Sequence, residues 1–266
     1  MRIVALLCAL VPLSLLLLGF VLPRAEAIHP PFSPPGRGNL LGTDDVGQDI
    51  FSQLASGGLT TIGVGAAAGV LATLFGLLVG GAAGYWPRLE TGLTRFTDLI
   101  LTFPRLPLLV LLSLYLKPNP LNAVVVLALF GWPSSARTVR PAVSGLREAG
   151  HVQIAKSMNA SGLYIIFRHI LPQLTPLILV QLLLEIRFGM VAQTGLAFLG
   201  LTDPSVPSWG LMLFQAFRHP QTFLGPYWLW TVLPPALALA LAVLALSLSL
   251  LTDERQLDPR LRRETT

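Results

Sequence analysis

Residues 59–85 read LTTIGVGAAAGVLATLFGLLVGGAAGY, a stretch of 27 residues that contains no charged side chain. About 20 apolar residues are enough for a helix to cross the hydrocarbon core of a bilayer. Glycines recur here at a spacing of four residues in three pairs: Gly65 and Gly69, Gly76 and Gly80, and Gly80 and Gly84. Small residues on one face let helix backbones approach closely inside a membrane. The stretch therefore predicts a transmembrane helix that packs against other helices through its glycines.

The rest of the chain has the composition of a membrane protein. Charged residues make up 12% of it and hydrophobic residues 53%, whereas charged residues form about 25% of an average soluble domain. Five further apolar runs approach spanning length: Ile3–Leu22, Leu99–Leu116, Leu121–Ala136, Leu174–Leu201 and Trp228–Leu251. We therefore predict an all-α integral membrane protein with about six transmembrane helices. The six runs are numbered along the chain, with residues 59–85 as the second. Prolines inside the third, fourth and sixth runs predict kinks or local unwinding.

The first run, Ile3–Leu22, has two interpretations. Together with Arg2 before it and the sequence AEA at 25–27 after it, the run resembles a signal peptide cleaved before Ile28. The run is about 20 residues long, however, and the apolar part of a signal peptide usually has about 7–15 residues. We favour a retained helix, and the intact mass of the mature protein distinguishes the two cases.

The distribution of lysine and arginine predicts the orientation. If the N-terminus is cytoplasmic, the inner side holds twelve basic residues: Arg2, Arg88, Arg95, Arg137, Arg140, Arg147, Lys156, Arg168, Arg255, Arg260, Arg262 and Arg263. The outer side holds four: Arg24, Arg37, Lys117 and Arg218. Basic residues concentrate in cytoplasmic loops, so both termini are predicted to be cytoplasmic. The basic residues are not interleaved with stacking aromatics, which argues against binding to nucleic acid.

One long polar segment, residues 137–172, separates the fourth and fifth runs on the predicted inner side. Ser144–Ser157 is predicted to form one helix. The sequence NASG at 159–162 then breaks it, because Asn tolerates the left-handed conformation and Ser161 can cap a following helix. The second helix is predicted to begin near Gly162, and Pro172 is predicted to mark either its end or a turn into the fifth run. Such a helix pair is a dock for a partner or, alternatively, a hairpin that lies on anionic lipid.

This loop also resembles a family signature. Residues 147–161, REAGHVQIAKSMNAS, followed by IFRHILP at 166–172, resemble the EAA loop of ABC importer permeases. They are most similar to the binding-protein-dependent, MetI-like permeases of the dipeptide, oligopeptide and nickel group. Other segments resemble motifs of that group in the same order: LGTDDVGQD at 41–49, FLGL at 198–201 with PSWG at 207–210, and LDPR at 257–260. The resemblance covers residues 39–263.

The resemblance implies a permease subunit of an importer in the bacterial plasma (inner) membrane. Its expected partners are a second permease in a heterodimer, two cytoplasmic ATPase subunits and an extracytoplasmic substrate-binding protein. The expected ATPase contact consists of Gln153, Ala155, Asn159, Ala160, Ser161, Gly162, Leu163 and Tyr164. The sequence contains no GxxxxGK[ST] phosphate loop, so we expect no enzyme activity and no cofactor in this chain, with ATP used by the partner subunits. Peptides are the expected substrate, and nickel or another small solute is the alternative.

Several positions depart from the motifs of this group. Gln153 stands in place of the EAA glutamate and Asn159 in place of a glycine, while Gln48, Gln53 and Gln193 replace charged residues. Asn is the next best residue after Gly at a left-handed cap, whereas Gln153 loses a charge-assisted hydrogen bond to a docked partner. A divergent, poorly coupled permease copy is therefore an alternative to a working one.

Three charged residues lie within the predicted spans. Such groups are costly in lipid, so Glu185 and Arg187 are expected to face the bundle interior or a water-filled path. Two residues apart on a helix, they point in different directions and are not expected to pair. With Gln193, they are candidates for the pathway or for contacts between helices. Arg105 is expected to extend towards the inner membrane face.

We divide the chain into three predicted segments. Residues 1–56 hold the first helix and an extracytoplasmic segment, residues 57–252 the permease domain, and residues 253–266 a basic cytoplasmic tail. Two other classes fit less well. A membrane-embedded enzyme would need a motif such as HExxH or GxSxG, and neither occurs in the sequence. A passive channel or membrane scaffold would not need a capped two-helix loop.

Overall fold

A computed structural model describes Ser14, residues 29–36 and residues 38–257, with side chains as far as Leu250. Within these residues the chain is helical, apart from turns and one isolated β-bridge between Thr43 and Asp49. The helices are α1 (Ile50–Tyr85), α2 (Pro87–Thr102), α3 (Arg105–Tyr115), α4 (Pro120–Arg147), α5 (Gly150–Ser157), α6 (Gly162–Ile165), a π-helical turn (Ile166–Ile170), α7 (Leu171–Phe198), α8 (Trp209–Arg218), α9 (Gln221–Leu224), α10 (Trp228–Thr231) and α11 (Leu233–Leu257).

Helix α1 is the central helix of the described bundle. It begins at Ile50, earlier than the predicted Leu59, because the Asp49 carboxylate caps it by accepting a hydrogen bond from the Ser52 N–H at 2.9 Å. Its 36 residues span about 54 Å at 1.5 Å per residue. The hydrocarbon core is about 30 Å thick, so α1 extends beyond it. The boundary drawn between residues 56 and 57 lies inside this helix.

The glycines of α1 form the predicted packing face, and this prediction is confirmed. A Cβ atom added to Gly80 would lie 2.5 Å from the carbonyl oxygen of Ala136 in α4. One added to Gly69 would lie 2.6 Å from the backbone nitrogen of Ile186 in α7. Both distances are too short for any side chain, so α1 contacts α4 and α7 backbone to backbone.

The third predicted span, Leu99–Leu116, is interrupted at Pro104, in agreement with the kinks or local unwinding predicted from its prolines. The chain bends by 81° between α2 and α3. Phe103 is extended, with φ −80° and ψ 138°, because the residue before a proline is sterically excluded from the helical region. Pro104 therefore separates two helices that the apolar composition joins.

Three helical stretches of the described chain are long and apolar enough to cross a membrane: Ile50–Tyr85, Gly162–Phe198 and Trp228–Leu250. The bent pair of α2 and α3 adds a fourth if it forms one span. The run Leu121–Ala136 lies within α4, and the run Ile3–Leu22 falls outside the described residues except for Ser14. A count of six spans therefore stays a prediction.

The inner loop starts later than predicted, because α4 continues past Ala136 to Arg147. Val139 and Val143 are fully buried against the loop helices, which extends the packed part of α4. The helix predicted over Ser144–Ser157 is divided, since Ala149 is extended, with ψ 142°. This prediction is wrong: residues 144–147 belong to α4, and Gly150–Ser157 forms α5.

Of the two alternatives predicted at Pro172, an end of the second loop helix is wrong, because the chain passes this residue directly into the fifth predicted span. The chain continues from α6 through the π-helical turn into α7, so that Gly162–Phe198 is one helical stretch of 37 residues. Pro172 lacks an N–H and would break an ordinary helix. It lies at the first turn of α7, directly after the π-helical turn, where the hydrogen-bond pattern already changes.

Candidate functional site

The inner loop turns sharply between α5 and α6, as the sequence predicts. Asn159 is left-handed, with φ +58°. The Ala160 N–H donates to the Ala155 carbonyl at 3.1 Å and the Asn159 N–H to the Lys156 carbonyl at 3.0 Å. This pair of bonds is the Schellman motif that closes helix C-termini. Ser161 then caps α6, accepting from the Tyr164 N–H at 3.3 Å.

Apolar side chains of this loop project away from the bundle. Ile154, Met158, Leu163, Tyr164 and Phe167 are between 54% and 78% exposed. We call these five residues the coupling surface. Contiguous exposed apolar patches of this kind mark protein or membrane contacts.

The opposite side of the loop anchors it to the bundle. Val152, Ile165 and Ile170 are almost fully buried, and they pack with Tyr85 at the inner end of α1. A Cβ added to Gly162 would lie 3.1 Å from the Tyr85 ring, which places this turn against α1. The coupling surface is therefore held on a rigid base.

Gln153 has partners within the chain. Its side-chain amide nitrogen donates to the Arg147 carbonyl at 3.1 Å and to the Glu148 carboxylate at 3.2 Å. A glutamate here would have no N–H to donate and would face Glu148 with a second negative charge. The departure from the family signature therefore matches its local surroundings.

The left-handed turn supplies a stability prediction. We expect Asn159→Val to lower the free energy of unfolding by about 1–2 kcal/mol, because a β-branched residue is strained at positive φ. Asn159→Gly should change it by less than about 0.5 kcal/mol. Thermal unfolding of the detergent-purified protein measures both. Equal stability of the valine and glycine variants would contradict the assignment of this turn.

Deep in the bundle, Arg105 and Glu185 form an ion pair between α3 and α7. The Arg105 Nη2 lies 3.4 Å from the Glu185 Oε2, and its Nε donates to the Phe130 carbonyl of α4 at 2.7 Å. The guanidinium also covers the Phe188 ring at 4.2 Å. Arg105 does not extend towards the inner face, so that expectation is wrong: the break at Pro104 starts a new helix here and directs the side chain between α4 and α7.

Arg187 and Gln193 lie in other surroundings. The Arg187 Nη1 donates to the Ser247 hydroxyl of α11 at 3.3 Å. Glu185 and Arg187 thus contact different helices, as expected from their spacing. Gln193 is buried, and its side-chain oxygen has no hydrogen-bond partner among the described residues. The structure does not bring these two residues together with the loop, and their roles stay predictions.

The segment before α1, which is predicted to be extracytoplasmic and is called the outer segment here, forms hydrogen-bonded turns over residues 29–36 and 38–49. The Asp44 carboxylate accepts from the backbone N–H groups of Val46 and Gln48 at 3.0 and 2.8 Å. Gly47 has φ +83° and lies directly against the His29 carbonyl, where no side chain fits. The LGTDDVGQD stretch is therefore held in hydrogen-bonded turns.

A salt bridge ties the outer segment to the end of α8. The Asp45 carboxylate lies 2.7 Å from the His219 Nε2. Burial raises the pKa of the Asp45 carboxyl, and the neighbouring His219 partly opposes this shift. Sequence analysis did not single out this pair, because its members are 174 positions apart.

The PSWG stretch fixes α8 against α1. Trp209 is fully buried, and its indole N–H donates to the Leu54 carbonyl at 2.9 Å. Its backbone N–H donates to the Thr61 hydroxyl at 3.1 Å. Ser208 caps α8 by accepting from the Leu211 N–H at 3.2 Å.

A polar cleft of about 350 Å³ opens between the start of α1 and α8. Gln48 and Gln53, which replace charged residues of the family motif, both line it, together with Asp49 and Gln215. The sequence places the two glutamines five positions apart. The structure shows that they share one surface.

Residues 72–263 match the family model described as binding-protein-dependent transport system inner membrane component. A protein of Brucella abortus biovar 1, whose name describes a peptide transport system permease, is 32% identical over 91% of this chain and 80% of its own length. The dipeptide transport system permease protein DppC of Bacillus subtilis is 31% identical over 86% of this chain and 71% of its own length. The corresponding DppC of Alkalihalophilus pseudofirmus is 34% identical over 77% and 66%.

The fold is also known from solved structures. A chain of the MetNI methionine ABC transporter in an inward-facing conformation superposes with a TM-score of 0.59, at 16% identity, over 76% of this chain and 96% of that chain. Its likeness supports the helical membrane fold, and the sequence matches support the family. The chain is a multi-pass membrane protein that belongs to the binding-protein-dependent inner membrane components, the permease subunits of ABC importers.

Proposed function

We propose that this permease imports peptides across the bacterial inner membrane, with both termini in the cytoplasm. It would pair with a second, different permease, receive substrate from an extracytoplasmic binding protein, and be driven by two cytoplasmic ATPase subunits. The names of its relatives support peptides as the substrate class. Nickel, or another small solute, is the alternative.

The observation that carries the proposal is the coupling surface. Five large apolar side chains are exposed beside a base that is fully buried. A surface that only lay on lipid would not need the Schellman turn, the Ser161 cap and the buried anchors that fix its shape. A rigid apolar projection is suited to insert into a groove of another protein. We assign that partner as the ATPase, with Gln153, Ala155 and residues 159–164 at or beside the contact.

In this proposal, ATP-driven closure of the ATPase pair moves the two docked loops as rigid bodies. The movement would expose the space between the two permeases to each side of the membrane in turn. The chain itself would bind no nucleotide. Its contribution would be the pathway wall and the mechanical contact.

The departures at Gln153 and Asn159 are compatible with a working subunit. Asn159 closes the same turn that glycine would close, and the Gln153 amide is satisfied by Arg147 and Glu148. We therefore favour a functional permease over a poorly coupled copy.

Reconstitution tests this proposal. The permease pair, both ATPases and the binding protein are placed in liposomes, and ATP hydrolysis is measured with the binding protein empty, loaded with a short peptide, or offered Ni²⁺. We expect the peptide-loaded protein to stimulate hydrolysis several-fold over the empty protein. Stimulation by Ni²⁺ alone would favour the nickel alternative. Absence of stimulation by any ligand would contradict a working permease.

A further inference from the structure

In the Arg105–Glu185 ion pair, some N–H groups of Arg105 have no hydrogen-bond partner among the described residues. Arginine carries five N–H donors. In the described part of the chain, one donates from Nε to the Phe130 carbonyl and one from Nη2 to Glu185, so three have no partner. The Glu185 side chain is 5% exposed and that of Arg105 is 26% exposed. The Glu185 side chain is thus inside the bundle, and part of the Arg105 side chain reaches the surface of the bundle.

The position of the Arg105–Glu185 pair along the helices indicates what the exposed part of Arg105 can face. Glu185 lies near the middle of α7, and Phe130 lies well inside α4. The exposed edge of Arg105 is therefore within the membrane, where a charge that faced lipid would be costly. It must face water in the pathway or a polar group of another molecule.

The remaining contacts hold the guanidinium in one orientation. Its Cζ lies over the Phe188 ring, 4.2 Å from the ring centroid, and Gly131 leaves room for the Glu185 carboxylate, because a Cβ there would lie 3.0 Å from Oε2. Glu185 offsets the cost of placing a cation at this depth through one contact of 3.4 Å, which leaves Nη1 free. A fixed guanidinium edge is the geometry that recognises a carboxylate through two parallel hydrogen bonds.

We infer that Arg105 lines the translocation pathway and binds a carboxylate of the passing substrate through its free Nη1 edge. The inference rests on the proposed function, because every peptide with a free C-terminus carries such a carboxylate and Ni²⁺ carries none. Glu185 and Phe130 act as positioning groups that hold the guanidinium. The Arg105–Glu185 pair is thus both an inter-helix contact and part of the substrate path.

Uptake of matched peptides by the reconstituted complex tests the inference. The substrates are trialanine, trialanine amide and Ala-Glu-Ala amide, each offered with a binding protein shown separately to be saturated by it. We expect the wild-type complex to transport trialanine about tenfold faster than its amide, the effect of one charge-assisted hydrogen-bond pair. Rescue of the rate by Ala-Glu-Ala amide would indicate that a side-chain carboxylate serves as well; a low rate would assign the C-terminal one.

The decisive variant is Arg105→Gln combined with Glu185→Gln, which removes both charges and leaves no buried carboxylate without a partner. It is expected to transport trialanine and its amide at rates within about twofold of each other, because neither then gains a charge-assisted bond. Arg95→Gln is the matched control: it removes an exposed arginine of α2 that has no assigned role in the pathway, and the preference for trialanine should survive.

Three results would overturn the inference. The double variant could keep the full preference for trialanine, or the wild type could transport both peptides equally. The double variant could also separate from the second permease on gel filtration, which would make Arg105 a contact between subunits. Failure of the wild type to transport any peptide would contradict the proposed function itself, and the inference with it.

Discussion

Replacing Met158 and Leu163 together by aspartate is expected to abolish binding of the cytoplasmic ATPase. These side chains are 78% and 61% exposed, so the free permease tolerates the change. In the complex they would be buried, and each unpaired carboxylate would cost several kcal/mol. A loss of even 3 kcal/mol weakens binding by more than about 100-fold. Co-purification of the ATPase with the tagged permease measures the effect.

Leu40→Asp is the matched control. Leu40 is an equally exposed leucine, at 69%, but it lies in the outer segment before α1. The ATPase should co-purify with this variant at the same ATPase-to-permease ratio as with the wild type. If the double variant also retained its ATPase, the coupling surface would have another role, and contact with anionic lipid would become the better interpretation.

Gly80→Val is expected to prevent assembly of the bundle, whereas Gly81→Val should be tolerated. At Gly80 the added Cβ would meet the Ala136 carbonyl oxygen at 2.5 Å and its Cα at 2.9 Å, both backbone atoms. At Gly81 nothing lies within 4 Å. Overpacking against side chains costs about 1–3 kcal/mol, and backbone is less able to move aside. We expect a cost at or above the top of that range for Gly80→Val and below about 1 kcal/mol for Gly81→Val.

The two glycine variants are compared by their amounts in the membrane and by thermal unfolding in detergent. They carry the same substitution at neighbouring positions of one helix, so helix propensity and hydrophobicity cancel. Similar losses in both variants would show that the small face of α1 is not the packing surface.

Apolar length and glycine spacing were sufficient to predict α1 and its packing face, because both depend on the local sequence. Kinks or local unwinding were predicted at the prolines of the third span, but the sequence did not distinguish a kink from a full break at Pro104. Proline inside a run is compatible with a kink, as Pro133 inside α4 shows, or with a full break of 81°. The outcome depends on what each half packs against, and that is tertiary information.

In the loop, too, some features follow from the local sequence and others depend on tertiary packing. The NASG sequence predicts the Asn159 turn and the Ser161 cap correctly, because a cap is decided by a few adjacent residues. The predicted ends of the loop helices were wrong. Helix α4 continues to Arg147, and the burial of Val139 and Val143 against the loop helices, which is tertiary information, accompanies this extension. The partner of Arg105 was also missed: Glu185 is 80 positions away, and no pattern in the sequence links the two.

The π-helical turn after α6 has a mechanical consequence. Because Gly162–Phe198 is one helical stretch of 37 residues, it behaves as a lever about 55 Å long at 1.5 Å per residue. A tilt of about 10° applied at the cytoplasmic end moves the far end by about 10 Å on that length. Glu185 lies on the same helical stretch. A movement of the loop at Leu163 would therefore be transmitted along this helix to Glu185 and its contact with Arg105.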